Sequence, residues 1–307
     1  MKSSKRTSAA VLVISALLLL AACTNHRSPE EKEFLRSWRD WRARRLQNLK
    51  APDGWLSLAG LFWLTPGAHT MGSAADNDFR ITHAPFAERI GTFRLKDGRA
   101  GFTPARGVKV TASGQPVNRE IMLEADDKGT PTRLQSGSLE WHLIRRGERI
   151  GVRLRDRRHP RIGRLRRIPA FDPDPERRIE AHFVAYSRPL TISVPNVLGT
   201  VTAESCPGEL RFTVKQKSMR LLPVGTTDQL FVVFGDLTNG ESTYGGGRFL
   251  SVPPPDDRGR TVLDFNRATN PPCAFSPFAT CPLPPAANEL DVHITAGEKT
   301  IPGFGHH

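Results

Sequence analysis

The chain has 307 residues, 25 prolines and 26 glycines against 2 tyrosines, and a formal net charge of +13. Short apolar runs broken by frequent turn residues exclude a helix bundle and fit a turn-rich β protein, long enough to bury a full core without stapling. The basic balance points to anionic partners.

Lys2, Lys5 and Arg6 precede an apolar run from Val11 to Leu20, and Ala21-Ala22 lead into Cys23. A basic start, a short apolar stretch and small residues make residues 1–22 a secretory signal peptide. The run is shorter than the ~20 residues that a spanning helix needs. The cysteine directly after the small residues resembles the lipobox of bacterial lipoproteins. That resemblance implies cleavage before Cys23, acylation of Cys23 and attachment to a membrane. Thr24, where an Asp would hold the protein back, implies an outer-membrane lipoprotein facing the periplasm if the cell is Gram-negative. Without residues 1–22 the chain keeps 285 residues and a net charge of +10. Residues 23–28 are a tether.

Ser28-Pro29-Glu30-Glu31 reads as a helix start, with Ser as N-cap, Pro in the first turn and Glu at the capping-box position. The expected helix covers residues 29–50. Phe34, Trp38 and Trp41 recur on one stripe, flanked by Leu35, Leu46 and Leu49. The stripe serves either a membrane interface or docking on the protein body. The acidic first turn favours docking.

From Trp55 onward turn signals such as Asp97-Gly98, Arg146-Gly147 and Asn239-Gly240 punctuate short alternating runs. Residues 51–300 are therefore an antiparallel β-sandwich or barrel-like body, mostly β, with the Pro-rich stretch 168–176 either dividing it or forming a long loop. Between Arg145 and Arg167 lie eleven arginines against Glu148 and Asp156. As a strand, Ile150–Arg155 places Val152 and Leu154 inward and Arg153 and Arg155 together on the other face. That face suits an anionic envelope component, such as lipid headgroups or lipopolysaccharide, or is simply solvated. Nucleic acid is not an expected partner, because the stretch lacks the interleaved aromatics that stack bases.

Two regions are unusual in composition. One is Trp55–Leu64, continuing to Ile81. The other is Asp236–Leu250, "DLTNGESTYGGGRFL", continuing through Asp264–Pro285, "DFNRATNPPCAFSPFATCPLPP", to Ala296–Lys299, "AGEK". Together they resemble the bacterial family catalogued as domain of unknown function 1684, over roughly residues 30–300. The resemblance carries no activity. Pro66-Gly67, Gly72-Ser73 and Asp76-Asn77-Asp78 also echo the opening of a forkhead-associated domain. That echo implies a β-sandwich shape and no phosphopeptide site, since the family's Arg and Ser-x-x-His are absent.

Gly245–Gly247 allow close backbone approach ahead of Arg248. "DFN" sets Asp264 and Asn266 on one strand face. Tyr244, Arg248, Asp264 and Asn266 are thus candidates to converge, with Arg248 hydrogen-bonded to Asp264 and Asn266 holding loop backbone. They form either a polar pocket for a carboxylate, phosphate or sugar, or a buried structural cluster. In an oxidising compartment Cys273 and Cys281 are expected to pair as a disulfide, leaving Cys206 free, with pairings of Cys206 as the alternative. There is no Cys-x-x-Cys and the histidines are scattered, so no metal site and no cofactor are expected. Nucleophile-elbow, zinc-protease, phosphate-loop and dinucleotide signatures are absent. The reading is an exported, lipid-anchored binding protein. Its alternatives are a metal-independent hydrolase using the same cluster and a purely structural envelope lipoprotein.

Overall fold

The computed structural model describes residues 27–304. The signal segment, Cys23, His306 and His307 lie outside them. The N-terminal helix spans Pro29–Lys50, and the Ser28 side chain accepts a hydrogen bond from the Glu31 N–H at 3.1 Å, as the cap signals predict. The helix docks on the body. Trp38 Nε1 donates to the Asn266 carbonyl at 3.2 Å, and Arg45 reaches buried Glu298 at 3.1 Å. None of the helices among the described residues is long and apolar enough to cross a membrane.

The first half of the body follows as strands β1 (Leu58–Trp63), β2 (Gly67–Gly72), β3 (Phe79–Arg80), β4 (Gly91–Lys96), β5 (Arg99–Pro104), β6 (Thr111–Ala112), β7 (Gln115–Pro116), β8 (Ile121–Leu123), β9 (Leu134–Ser136), β10 (Leu139–Arg146) and β11 (Arg149–Asp156). They form two sheets, ordered β1-β11-β10-β9-β6-β7 and β3-β2-β4-β5-β8. Met71, Phe93 and Phe102 of the second sheet meet Trp141, Val152 and Leu154 of the first in one core. Alternation along β11 explains its placement: Ile150, Val152 and Leu154 enter this core, so Arg153 and Arg155 face away from it.

A short helix, Pro160–Arg164, and the stretch 168–176 lead to the second half. Here β12 (Arg178–Pro195), β13 (Val201–Val214), β14 (Lys217–Leu221), β15 (Val224–Thr226), β16 (Gln229–Asp236), β17 (Arg248–Val252), β18 (Arg260–Asp264) and β19 (Glu289–Leu290) follow. The sheets run β14-β13-β12-β18 and β15-β16-β17, with β19 parallel to β16. Phe183, Leu210, Phe212, Val232, Phe234, Leu250 and Leu263 fill a second core between them. The protein is mostly β and antiparallel, as the sequence indicates. Two smaller apolar clusters close the seam between the halves. One joins Leu49, Leu56, Leu165, Ile168, Phe275 and Ile301. The other joins Leu58, Cys273, Ala279 and Cys281, with Trp55, Tyr244 and Phe278 around them.

Candidate functional site

The four residues singled out in the C-terminal motif do not converge. Arg248 opens β17, in register with Phe234 on β16. That pairing brings it to Asp236, not Asp264. Arg248 Nη2 lies 2.6 Å from Asp236 Oδ2, and neither side chain has any exposed surface. The guanidinium also donates to the carbonyls of Ile294 and Ala296. The second oxygen of Asp236 accepts from the Thr238 N–H, the Thr238 hydroxyl and the Ile294 N–H. The expected Arg248–Asp264 bond is therefore not formed. Gly247, at φ +81°, makes the approach possible, since a Cβ there would sit 2.4 Å from Pro284 and 2.7 Å from the Phe234 carbonyl.

Asp264 lies instead beside Arg267 at 3.3 Å and Arg178 at 3.8 Å. Asn266 donates to Asp264 and to the Asp174 carbonyl and accepts from the Asp174 N–H. It holds loop backbone, as the sequence reading anticipates. Asp264 and Asn266 thus belong to one polar cluster with Asp174, Arg178 and Arg267, and Arg248 to a separate one with Asp236.

The cysteine expectation is also corrected. Cys206, Cys273 and Cys281 are all buried free thiols, and no disulfide joins Cys273 to Cys281. The two are nonetheless neighbours, with the Cys273 N–H donating to Cys281 Sγ at 3.0 Å. Burial in the apolar seam pushes the Cys281 thiol up. Tyr244 shares the same seam, and burial, with the two cysteines beside it, pushes its hydroxyl up to about 12.

The unusual chemistry lies under this seam, on the outward face of β11. Arg153 and Arg155 share that face as predicted, but the face is not solvated, with only 7% and 8% of the two residues exposed. Arg153 Nη2 touches Thr280 Oγ1 at 3.2 Å. Arg155 Nη1 donates to the Gly54 carbonyl at 2.8 Å and to Ser57 Oγ at 3.0 Å. Gly54 is glycine because a Cβ would come within 2.4 Å of the Asn48 and Leu49 carbonyls. Its carbonyl can reach the guanidinium only because the helix end and the Trp55–Ser57 turn pack this closely. Arg161 comes from the short helix. Its position is set by Asp156, which bonds His83 at 2.9 Å and the Arg158 N–H, and by His159, whose Nδ1 accepts from the Arg161 N–H. The Arg161 side chain donates to the Leu58 carbonyl.

None of the three guanidiniums forms an ion pair among the described residues, and the Nε of each is buried with no partner. The carboxylates that act on them, Asp126 on Arg153 and Glu140 and Asp53 on Arg155, do so only at range. Asp126 already pairs with Arg146, and Glu140 with Arg133. Burial pulls Arg153 and Arg161 down to about 10 and lowers Arg155 as well. Buried charges are normally paired. Here two buried ones, Arg153 and Arg155, and a half-buried third, Arg161, stand unpaired on adjoining segments. Half-buried Trp55, Phe278 and Thr280 form the rim, with the Arg155 and Arg161 guanidinium carbons 5.8 Å and 5.6 Å from the ring centroids of Trp55 and Phe278. His142, in register with Arg153 on β10, adds a buried imidazole whose Nδ1 has no partner.

Sequence alternation places Arg153 and Arg155 together. It carries no signal that Arg161, His142 or Trp55 joins them, because Thr280 and Phe278, which cover the face, stand more than a hundred residues away in the chain.

The molecule is thus an antiparallel β protein with a guanidinium-lined face at the seam between two cores. A family model described as Protein of unknown function (DUF1684) matches residues 164–299. Among solved structures, the chain is 32% identical to an uncharacterized protein of Haloarcula marismortui determined by solution NMR, over 45% of this chain and 78% of that one, with a TM-score of 0.38. The chain belongs to the DUF1684 family. The match is narrower than the span of about 30–300 drawn from the motifs: it contains the cover Cys273–Pro285 and leaves out β11 and Trp55–Ile81. No curated protein matches the chain.

Proposed function

We propose that the protein binds a small oxyanion on the face formed by Arg153, Arg155 and Arg161. The reading is carried by one observation: two buried guanidiniums, Arg153 and Arg155, and a half-buried third, Arg161, have no carboxylate partner, and each has an unused buried Nε–H. Guanidinium forks match the oxygens of phosphate, sulfate and carboxylate groups. An oxyanion here would complete both the charge and the hydrogen bonding. Asp236 and Asp264 of the C-terminal motif are committed to arginines and backbone, which weighs against the hydrolase alternative.

Calorimetric titration with inorganic phosphate and with sulfate tests the reading. The wild-type protein should bind at least one of them, and the double substitution Arg153→Met, Arg155→Met should weaken binding by more than about tenfold, or ~1.4 kcal/mol. Replacing unpaired buried charges by apolar chains of similar length should leave the melting temperature unchanged or raised. A folded wild-type protein that binds no oxyanion, together with a double variant that melts lower, would assign the arginines to structure.

The location of this activity is part of the same proposal. The lipobox-like sequence around Cys23 supports an exported protein anchored by acylation. Cys23→Ser should then release the protein from the membrane fraction or block its processing. Normal processing and unchanged membrane partition of that variant would remove the anchor from the proposal.

A further inference from the structure

Given an oxyanion on the arginine face, a step that rests on the reading above, we infer that His142 makes the site selective for an oxyanion that carries a hydroxyl, phosphate or a phosphate monoester, over fully ionised sulfate. Guanidinium groups are donors only. A site built from Arg153, Arg155 and Arg161 alone has no means of telling phosphate from sulfate, since both present anionic oxygens. His142 supplies what that set lacks. It lies on β10 directly across from Arg153, on the same sheet face, and is only 5% exposed. Its Nδ1 is buried without a hydrogen-bond partner, and Arg133, Arg153 and Arg155 act on the ring.

The charged groups acting on the ring are Arg133 from the segment leading into β9, Arg153 and Arg155 from β11, and Asp126 from the turn before β9. Glu140 stands on the same strand face and is held by Arg133. Cations outnumber free anions around the imidazole. Together with burial this keeps the ring neutral near pH 7, with its pKa pulled down to about 4. A neutral imidazole has one N–H and one lone pair. With the proton on Nε2, the lone pair sits at buried Nδ1. That lone pair calls for a donor, and leaving it unpaired costs about 1–3 kcal/mol. The P–OH of a protonated phosphate supplies one. Sulfate presents only an oxygen lone pair to it, which repels.

The experiment is calorimetric titration at about pH 6, where phosphate and its monoesters still carry a hydroxyl. Sulfate, inorganic phosphate and glycerol phosphate are the three ligands. The wild-type protein should bind inorganic phosphate or glycerol phosphate about tenfold or more tightly than sulfate. Glycerol phosphate matching or exceeding phosphate assigns the site to monoesters, and the reverse assigns it to the free ion; both support the selectivity. His142→Phe should lower phosphate affinity to that of sulfate while leaving sulfate binding in place. His142→Asn, whose side-chain oxygen offers an acceptor near the position of Nδ1, should keep the preference. If His142→Phe does not fold, the wild-type ratio and His142→Asn decide the matter alone. Equal affinity of the folded wild-type protein for phosphate and sulfate would overturn the role of His142 and leave the arginine site standing. Absence of binding by all three ligands would overturn both.

Discussion

Removing the guanidinium of Arg248 would leave Asp236 inside the protein with no cation. Both side chains are fully enclosed, and the carboxylate organises the Thr238 turn and the Ile294 backbone as well as receiving Arg248. Burial lowers the Arg248 pKa, so the pair exists because both terminal guanidinium nitrogens and both carboxylate oxygens are hydrogen-bonded, not because the interior favours charge. Arg248→Ala is therefore expected to destabilise the protein by ~3–5 kcal/mol. Urea unfolding monitored by circular dichroism measures this directly, and a loss below ~1 kcal/mol would mean that water or another group replaces the guanidinium. At the same scale the three arginines of the seam are the opposite case. Arg153 and Arg155 are enclosed and Arg161 half-buried, none with a carboxylate partner, so removing them relieves charge. Two sets of buried arginines thus predict opposite signs of stability change, and the difference lies only in whether a carboxylate is within reach.

The N-terminal helix is joined to the second half of the body by polar contacts as much as by its aromatic stripe. Arg45 Nε meets Glu298 Oε1, and its Nη2 donates to the Asn270 carbonyl at 3.0 Å. Glu298 is 1% exposed and its other oxygen receives the Asn270 N–H at 2.7 Å. Arg45→Ala leaves that carboxylate half satisfied, and a destabilisation of about 1–3 kcal/mol is expected. Denaturant titration of Arg45→Ala checks it, and the Glu298→Gln variant should make the Arg45 substitution milder. The bounds of this helix were legible in the sequence because its cap is local: Ser28, Pro29 and Glu31 act within one turn. The hairpin of β12 and β13 was less legible. Pro189 and Pro207 look like breakers, and sequence alone divides each strand in two. They are tolerated because β12 pairs with β18 only over Arg178–His182 and β13 with β14 only over Leu210–Val214. The remaining edges carry no neighbour that needs a proline N–H, and the prolines sit at the register shift between Ala185 and Leu190. The partner of Arg248 was illegible for a different reason. Asp236 and Asp264 are both near it in the motif, and only the β16–β17 pairing decides between them. The Asp-x-Thr sequence at Asp236, which forms a side-chain turn with Thr238, was the available local sign that Asp236 serves backbone and interior.

At the scale of the molecule, two β cores meet at a seam that contains most of the unusual titration. Along this seam and at the nearby end of β11, His142 and His159 are both buried, and both are held down to about 4, by burial first and then by neighbouring arginines. An unfolded chain would protonate them near the ordinary ~6.5. The folded pKa values are depressed, so the native state binds fewer protons than the unfolded state between ~6.5 and ~4. The stability from these two neutral rings is fully present above ~6.5 and is lost as the pH falls toward 4. The His142 ring accounts for on the order of 3 kcal/mol at full loss, and His159, more open to solvent screening, for less, against the 5–15 kcal/mol that typically separates a folded domain from its unfolded state. The seam is where acid should act first, because protonating either ring adds charge beside guanidiniums that already lack partners. Urea midpoints of the protein should be flat from about pH 8 to pH 7 and fall steeply between about pH 6 and pH 4.5. The double variant His142→Gln, His159→Gln should flatten that fall without changing the neutral plateau by a comparable amount. An oxyanion bound at the arginine face should also oppose the fall, because its charge offsets the cations that disfavour the imidazolium. A midpoint that is independent of pH over this range would show that the two histidines are solvated in the folded protein, and that the seam opens to water more readily than its packing implies.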